Sequence, residues 1–120
     1  MTYIPDLSTE TYVPVPDDGF RYMSVGWLGC EVERAGPTDH AVIEALEAAA
    51  AASPRDWGPV AAGPHTCELC GKFRSAGEFV VEGGDIRYLL PNMVVHYVRA
   101  HDYRLPAVVE RAILWTRAGP

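Results

Sequence analysis

The sequence has no run of apolar residues near the length of about 18 that a bilayer-crossing helix needs, which excludes a membrane span of that kind. Its opening residues, Met1-Thr2-Tyr3-Ile4-Pro5-Asp6, lack a basic region followed by an apolar stretch, so no secretory signal is expected. Cysteine is scarce. There are three in 120 residues, too few and too unevenly spaced for a disulfide-built fold, and Cys67 and Cys70 sit too close together to serve as its frame. The expected location is the reducing cytoplasm, and the expected use of the close pair is a metal site. Positive charge is scarce in the front of the chain: residues 1–63 hold only Arg21, Arg34 and Arg55 against ten acidic residues, a balance of −7. Residues 64–120 hold seven Lys or Arg against six acids, a balance of +1. An acidic front repels phosphate, so nucleic acid is a disfavoured partner. The nucleophile elbow G-x-S-x-G, the phosphate loop G-x-x-x-x-G-K-[ST] and the zinc-protease motif H-E-x-x-H are all missing, and nothing singles out an enzyme.

What is present suits one globular domain spanning 1–120. The chain is 48% apolar and 22% charged, enough to bury a core, while ten Pro and eleven Gly promise many turns. Glu10-Thr11-Tyr12-Val13-Pro14-Val15 reads as a strand, Pro16-Asp17-Asp18-Gly19 as a turn, and Phe20 to Leu28 as a second strand, together a first hairpin. Gly26 and Gly29, on either side of Trp27, mark a bulge or a close backbone approach. Thr38 to about Ala52 reads as a helix capped by Thr38 or Asp39, with Val42, Ile43, Leu46, Ala49 and Ala50 on one stripe. Residues 53–64 read as a loop. Glu78–Glu82 and Asp85–Leu89, joined through Gly83-Gly84, read as a second hairpin, with Pro91 in the first turn of a following helix that carries Met93, Val94, Tyr97 and Val98. A last helix after Pro106 is expected to bury Val108, Val109, Ala112, Ile113 and Trp115. The fold class is therefore α+β: two β-hairpins, about three helices, and a zinc-finger-like ββα module in the C-terminal half.

The chemistry concentrates in two short motifs. Cys67-Glu68-Leu69-Cys70-Gly71 places two thiolates where a tight turn can close on one metal ion, and Gly71 supplies the backbone freedom such a turn needs. His96-Tyr97-Val98-Arg99-Ala100-His101 follows on a helix. On an ideal helix, positions five apart differ by about 140° in direction and about 7.5 Å in height, so the two rings converge only if the last turn loosens. Zn2+ held by Cys67, Cys70, His96 and His101 in a submodule over 64–101 is the expected site. The 25 residues between Cys70 and His96 exceed the dozen or so of a DNA-reading finger, which a longer hairpin would explain. His65 is a rival ligand or orienting group, although a solvent-exposed loop histidine is the plainer reading. His40 is expected to be exposed, Cys30 to be a buried free thiol, and Trp27, Trp57 and Trp115 to serve packing.

Pro5-Asp6-Leu7-Ser8, Ser24-Val25-Gly26-Trp27-Leu28, Gly63-Pro64-His65-Thr66-Cys67-Glu68-Leu69-Cys70 and Val95-His96-Tyr97-Val98-Arg99-Ala100-His101-Asp102-Tyr103 with Pro106 occur in that order. In these segments the chain resembles a family of small bacterial proteins, common in actinobacteria, that carries a domain of unknown function. The resemblance implies a bacterial cytoplasmic protein with zinc at Cys67, Cys70, His96 and His101, and it implies no activity. Relatives in that family often carry an acid after Gly-Trp-Leu, where this chain has Gly29. The leading functional expectation is a structural zinc site in a protein-binding or regulatory module. The alternative is a nucleic-acid-binding module using Arg87, Arg99, Arg104, Arg111 and Arg117, and a metal-dependent enzyme comes third.

Overall fold

The computed structural model describes residues 3–11, 15, 17–28, 36–52 and 65–118, the last three by their backbone alone. Cys30, Trp57, Gly29, the loop 53–64 and residues 12–14 of the expected first strand lie outside the described residues. The elements are β1 (Arg21–Ser24), α1 (His40–Ala52), β2 (His65–Thr66), β3 (Arg74–Ser75), β4 (Glu78–Gly83), β5 (Ile86–Pro91), α2 (Val94–Ala100) and α3 (Ala107–Ala118). This is an α+β fold, with three helices and two small sheets among the described residues, one sheet of three strands and one of two. No helix among the described residues is long and apolar enough to cross a membrane.

β4 and β5 form the expected hairpin, running antiparallel from Gly83↔Ile86 to Glu78↔Pro91. Gly84 takes the positive φ, 74°, that the two-residue turn demands. β1 adds a pairing that the expected first hairpin did not include, while residues 12–14 and 16 of that hairpin lie outside the described residues. β1 pairs parallel with β5, from Arg21↔Ile86 to Ser24↔Leu89, which makes β5 the central strand. Val25 extends this ladder through its amide to the Leu89 carbonyl, and Pro91, which has no amide to give, ends the strand. Pro91 therefore closes β5 rather than opening α2, which begins three residues later. The other edge of β1 is covered by the front of the chain, through isolated antiparallel bridges Ile4↔Trp27 and Ser8↔Ser24.

Alternation along the strands divides the apolar residues between two faces. Phe79, Val81, Tyr88 and Leu90 join Val42, Ala45 and Leu46 of α1, Val94, Tyr97 and Val98 of α2, and Val109 and Ile113 of α3 in the main core. Leu89 faces the other way, packing with Ile4 and Trp27. The Trp27 indole N–H is satisfied at 3.0 Å by the Leu89 carbonyl, so this fully buried tryptophan carries no polar penalty. Gly26 sits at φ 82°, where a Cβ would lie 2.6 Å from Val94 Cγ2; the close approach expected here brings the chain against the first turn of α2. At α1 the Asp39 carbonyl accepts the amides of Val42 and Ile43, while the Thr38 hydroxyl donates away from the helix, to the Tyr103 carbonyl.

α3 corrects a second expectation. Val109 and Ile113 are buried, but Trp115 is 71% exposed and Val108 lies in solvent with it. Residues two apart on a helix point about 160° away from each other, so Trp115 cannot share the buried face of Ile113.

Candidate metal centre

The two cysteines lie on the turn of the smaller hairpin. β2 and β3 pair at only His65↔Ser75 and Thr66↔Arg74, and the Cys67 amide continues the ladder to the Phe73 carbonyl at 2.8 Å. The chain then reverses, with the Gly71 amide 2.7 Å from the Cys67 carbonyl and Gly71 itself at φ 68°. This reversal aims backbone amides at both sulfurs: those of Cys70 and Leu69 at Cys67, and those of Lys72 and Phe73 at Cys70. Burial pushes the Cys67 thiol above its ordinary range despite its amides. Cys70 is held below that range, first by the Lys72 amide. The amides around Cys70 thus favour its thiolate form, while burial opposes ionisation of Cys67, a cost that coordination to a cation would offset.

The imidazoles come from α2, which is fixed by its buried residues Val94, Tyr97 and Val98. The loosened last turn that convergence requires is present. His101 leaves helical geometry at φ −126°, ψ 14°, and Asp102 follows at φ 54°, a left-handed conformation that aspartate tolerates better than most residues. The amides of His101 and Tyr103 both donate to the Tyr97 carbonyl, closing the helix end. Burial, together with the neighbouring His101 charge, lowers the pKa of His96 and favours the neutral ring that a metal ion requires.

These two elements bring four donor atoms together. Cys67 Sγ lies 3.5 Å from His101 Nε2, Cys70 Sγ lies 3.5 Å from His96 Nε2, and the two Nε2 atoms are 3.1 Å apart. All four fall within 4.8 Å of one another, and neither cysteine is in a disulfide. The group can hold a metal ion. Two thiolates and two neutral imidazoles would leave a divalent ion electrically neutral, which suits a site that buries Cys67 completely.

His65 is not in this group. It is buried rather than solvent-exposed, with its ring edge-on to Trp27 at 6.4 Å, and burial lowers its pKa. The reason is the β2 position, which turns its side chain inward. His40 is exposed as expected, 3.3 Å from Glu44 one helical turn on.

The 25-residue spacing has a different origin from the one expected. The interval is filled by a separate hairpin, β4–β5, which belongs to the main sheet. The cysteines therefore sit on one small hairpin and the histidines on a helix reached only after another.

Two supports carried no sequence signal. The Phe73 ring stacks on His96 at 4.2 Å between centroids and 5° between planes. Asp6 reaches across from the front of the chain, accepting from the Tyr103 hydroxyl at 2.7 Å and the Gly26 amide at 2.9 Å. It thereby anchors the segment that leaves His101. Only the packing of distant segments brings these groups together.

With the site in place, comparison with known families becomes informative. The profile of the family described as Domain of unknown function (DUF7919) matches residues 2–114. The chain belongs to the DUF7919 family. The match takes in the front strap with Asp6, all three strands of the main sheet and all four clustered donors. Comparison with the curated proteins finds no match, and comparison with the solved structures finds none.

Proposed function

We propose that this DUF7919 domain is a protein-binding or regulatory module of the bacterial cytoplasm, built around a structural Zn2+ ion held by Cys67, Cys70, His96 and His101. The observation that carries the zinc reading is the spacing of the donors. With Zn–N near 2.05 Å and Zn–S near 2.3 Å, a tetrahedral site has edges of about 3.3 Å between nitrogens and about 3.6 Å between sulfur and nitrogen. The distances here are 3.1 Å between the nitrogens and 3.5 Å for two of the four sulfur–nitrogen pairs, with every donor within 4.8 Å of the others. Hard ions fit less well: two thiolates disfavour magnesium or calcium, and a tetrahedral S2N2 set favours zinc among the common divalent ions. Four protein donors fill the coordination sphere, which supports a structural role over a hydrolytic one.

Partner class follows from the arginines. Three of the five that would serve a nucleic-acid surface are engaged by carboxylates: Arg87 by Asp18 and Glu82, Arg99 by Glu47, and Arg104 by Glu110. Paired in this way, they make a poor phosphate track, and the net charge of −6 adds to the repulsion. A protein partner is the better fit. The deciding experiment is elemental analysis of protein purified without added metal, with about one zinc per chain expected. Folded protein that is free of metal and carries a Cys67–Cys70 disulfide would refute the proposal. Absence of turnover on ester, phosphodiester and peptide substrates, with and without zinc, is the matching expectation for a closed site.

A further inference from the structure

We infer that Phe73 is the positioning residue of the metal centre, joining its sulfur half to its imidazole half and setting how tightly and how long the ion is held. This inference rests on the metal reading above. The sulfurs and imidazoles sit on elements that share no ladder, so side-chain contacts between the hairpin and α2 decide how the four donors meet before an ion bridges them. Phe73 touches both halves. Its carbonyl accepts from the Cys67 amide at 2.8 Å, its own amide is directed at the Cys70 sulfur, and its ring lies flat on His96. Phe73 is 43% exposed, so the ring is only partly removed from water, and the covered part includes its face on His96.

The stack also distinguishes the loaded state from the empty one. An imidazole that donates its lone pair to a cation becomes electron-poor, and an electron-poor ring over the negative face of a phenyl group is attracted more strongly than a neutral one. A contact that strengthens on metal binding must, by linkage, strengthen metal binding in return. His101 meets His96 edge-on at 4.8 Å, so an orientation imposed on His96 also constrains where the second nitrogen can meet the ion. Phe73 therefore does more than shield the site: an aliphatic side chain of similar bulk would keep the cover and lose the coupling.

The test uses the full-length chain loaded with cobalt(II) and then with zinc. Cobalt reports the ligand set through its thiolate charge-transfer and d–d bands, and transfer of zinc to a chromophoric chelator reports affinity and lifetime. Phe73→Leu is expected to keep the two-thiolate tetrahedral cobalt spectrum while releasing zinc about five- to tenfold more readily, the range expected for loss of one aromatic pair. Phe73→Tyr and Phe73→Trp are expected to restore wild-type retention, which a merely apolar cover would not require. Zinc release from Phe73→Leu at the wild-type rate would overturn the role given to Phe73 while leaving the metal site standing. Wild-type protein that shows no thiolate–cobalt charge transfer would overturn both the metal reading and this one.

Discussion

The described residues contain two hairpins built on opposite principles. β4–β5 has six residues in each strand and sets Phe79, Val81, Tyr88 and Leu90 into the main core beneath α1 and α3. β2–β3 has two residues in each strand; Thr66, Phe73 and Arg74 are exposed, and Cys67 is its chief buried apolar residue. The first hairpin is held by area removed from water. The second has too little apolar surface to offset the entropy of ordering its turn, so its cohesion has to come from the donors it carries. A metal ion bridging Cys67 and Cys70 to His96 and His101 would close a long loop and take the place of a core.

Removing each hairpin's own support should expose this difference, with the largest effects expected in the molecule. In zinc-loaded protein, Phe79→Ala and Cys67→Ser are each expected to cost about 4 kcal/mol of unfolding free energy. After chelation the two should part. Phe79→Ala keeps its penalty, because its cavity does not depend on metal, whereas Cys67→Ser falls to about 1 kcal/mol, the cost of a hydroxyl in a buried thiol's place. Urea titrations with and without chelator measure both, and equal penalties in the two states would show that metal does not hold the smaller hairpin. Hydrogen exchange should agree: chelation is expected to expose the amides of Cys67 and Gly71 while β4 and β5 stay protected. Cys30→Ser should cost less than Cys67→Ser in loaded protein.

The same contrast explains which parts could be read from the sequence. α1, α3 and β4–β5 were legible because their signals are local: a 3.6-residue stripe over Val42, Leu46 and Ala49, and β-rich segments either side of Gly83-Gly84. The four donors were legible because thiols and imidazoles are sparse and their spacing is chemically constrained. The partner of β1 was not. Arg21 to Ser24 carries β-forming residues that suit any partner, and its parallel ladder to β5 joins segments far apart in sequence, on the edge opposite the Ser8 bridge. β2 and β3 are too short for any periodicity, so the inward turn of His65 had no signal. The Trp115 expectation failed for another reason, since counting apolar residues along α3 overlooked the direction each one takes.

Gly26 links the two regimes, because it is where the strand side of the fold meets the first turn of the histidine-bearing helix. Gly26→Ala must place a Cβ 2.6 Å from Val94 Cγ2 at a left-handed φ, and both penalties act together. About 3 kcal/mol of lost stability is expected. The loss should be nearly the same with and without chelator, which would class the position with Phe79. A loss confined to the loaded protein would instead make it part of the metal site's support.

A smaller effect is expected where the front strap meets the segment beyond His101. Tyr103→Phe removes the donor to Asp6 but leaves the ring packed edge-on against Tyr97, and the Gly26 amide still reaches the carboxylate. The expected cost is about 1–2 kcal/mol, the range for a hydrogen bond to a charged group. Measured by thermal melting, a cost near zero would mean that the Gly26 amide and the Ile4 and Ser8 bridges hold the strap without the Tyr103 hydroxyl.

The smallest effect belongs to the solvent side of β1 and β5, far from either hairpin's support. Asp18 accepts from the Tyr22 hydroxyl at 2.7 Å and from Arg87 at 3.1 Å, while Arg87 also lies 3.8 Å over the Phe20 ring. The Tyr22 bond, more than the Arg87 charge, holds the Asp18 carboxyl below its ordinary range. A carboxylate whose pKa is depressed by folding adds stability above the unfolded value near 3.9, and that contribution disappears as pH falls through the folded value. Asp18→Asn should therefore be slightly less stable than wild type at pH 7, and the two should converge toward pH 2. Acid also protonates the metal ligands, but it does so in both proteins, so the difference between their urea midpoints isolates Asp18. A gap that persists at pH 2 would mean that the side chain acts through packing rather than charge. A gap that widens in acid would reverse the sign of the linkage and assign the depressed titration to another group.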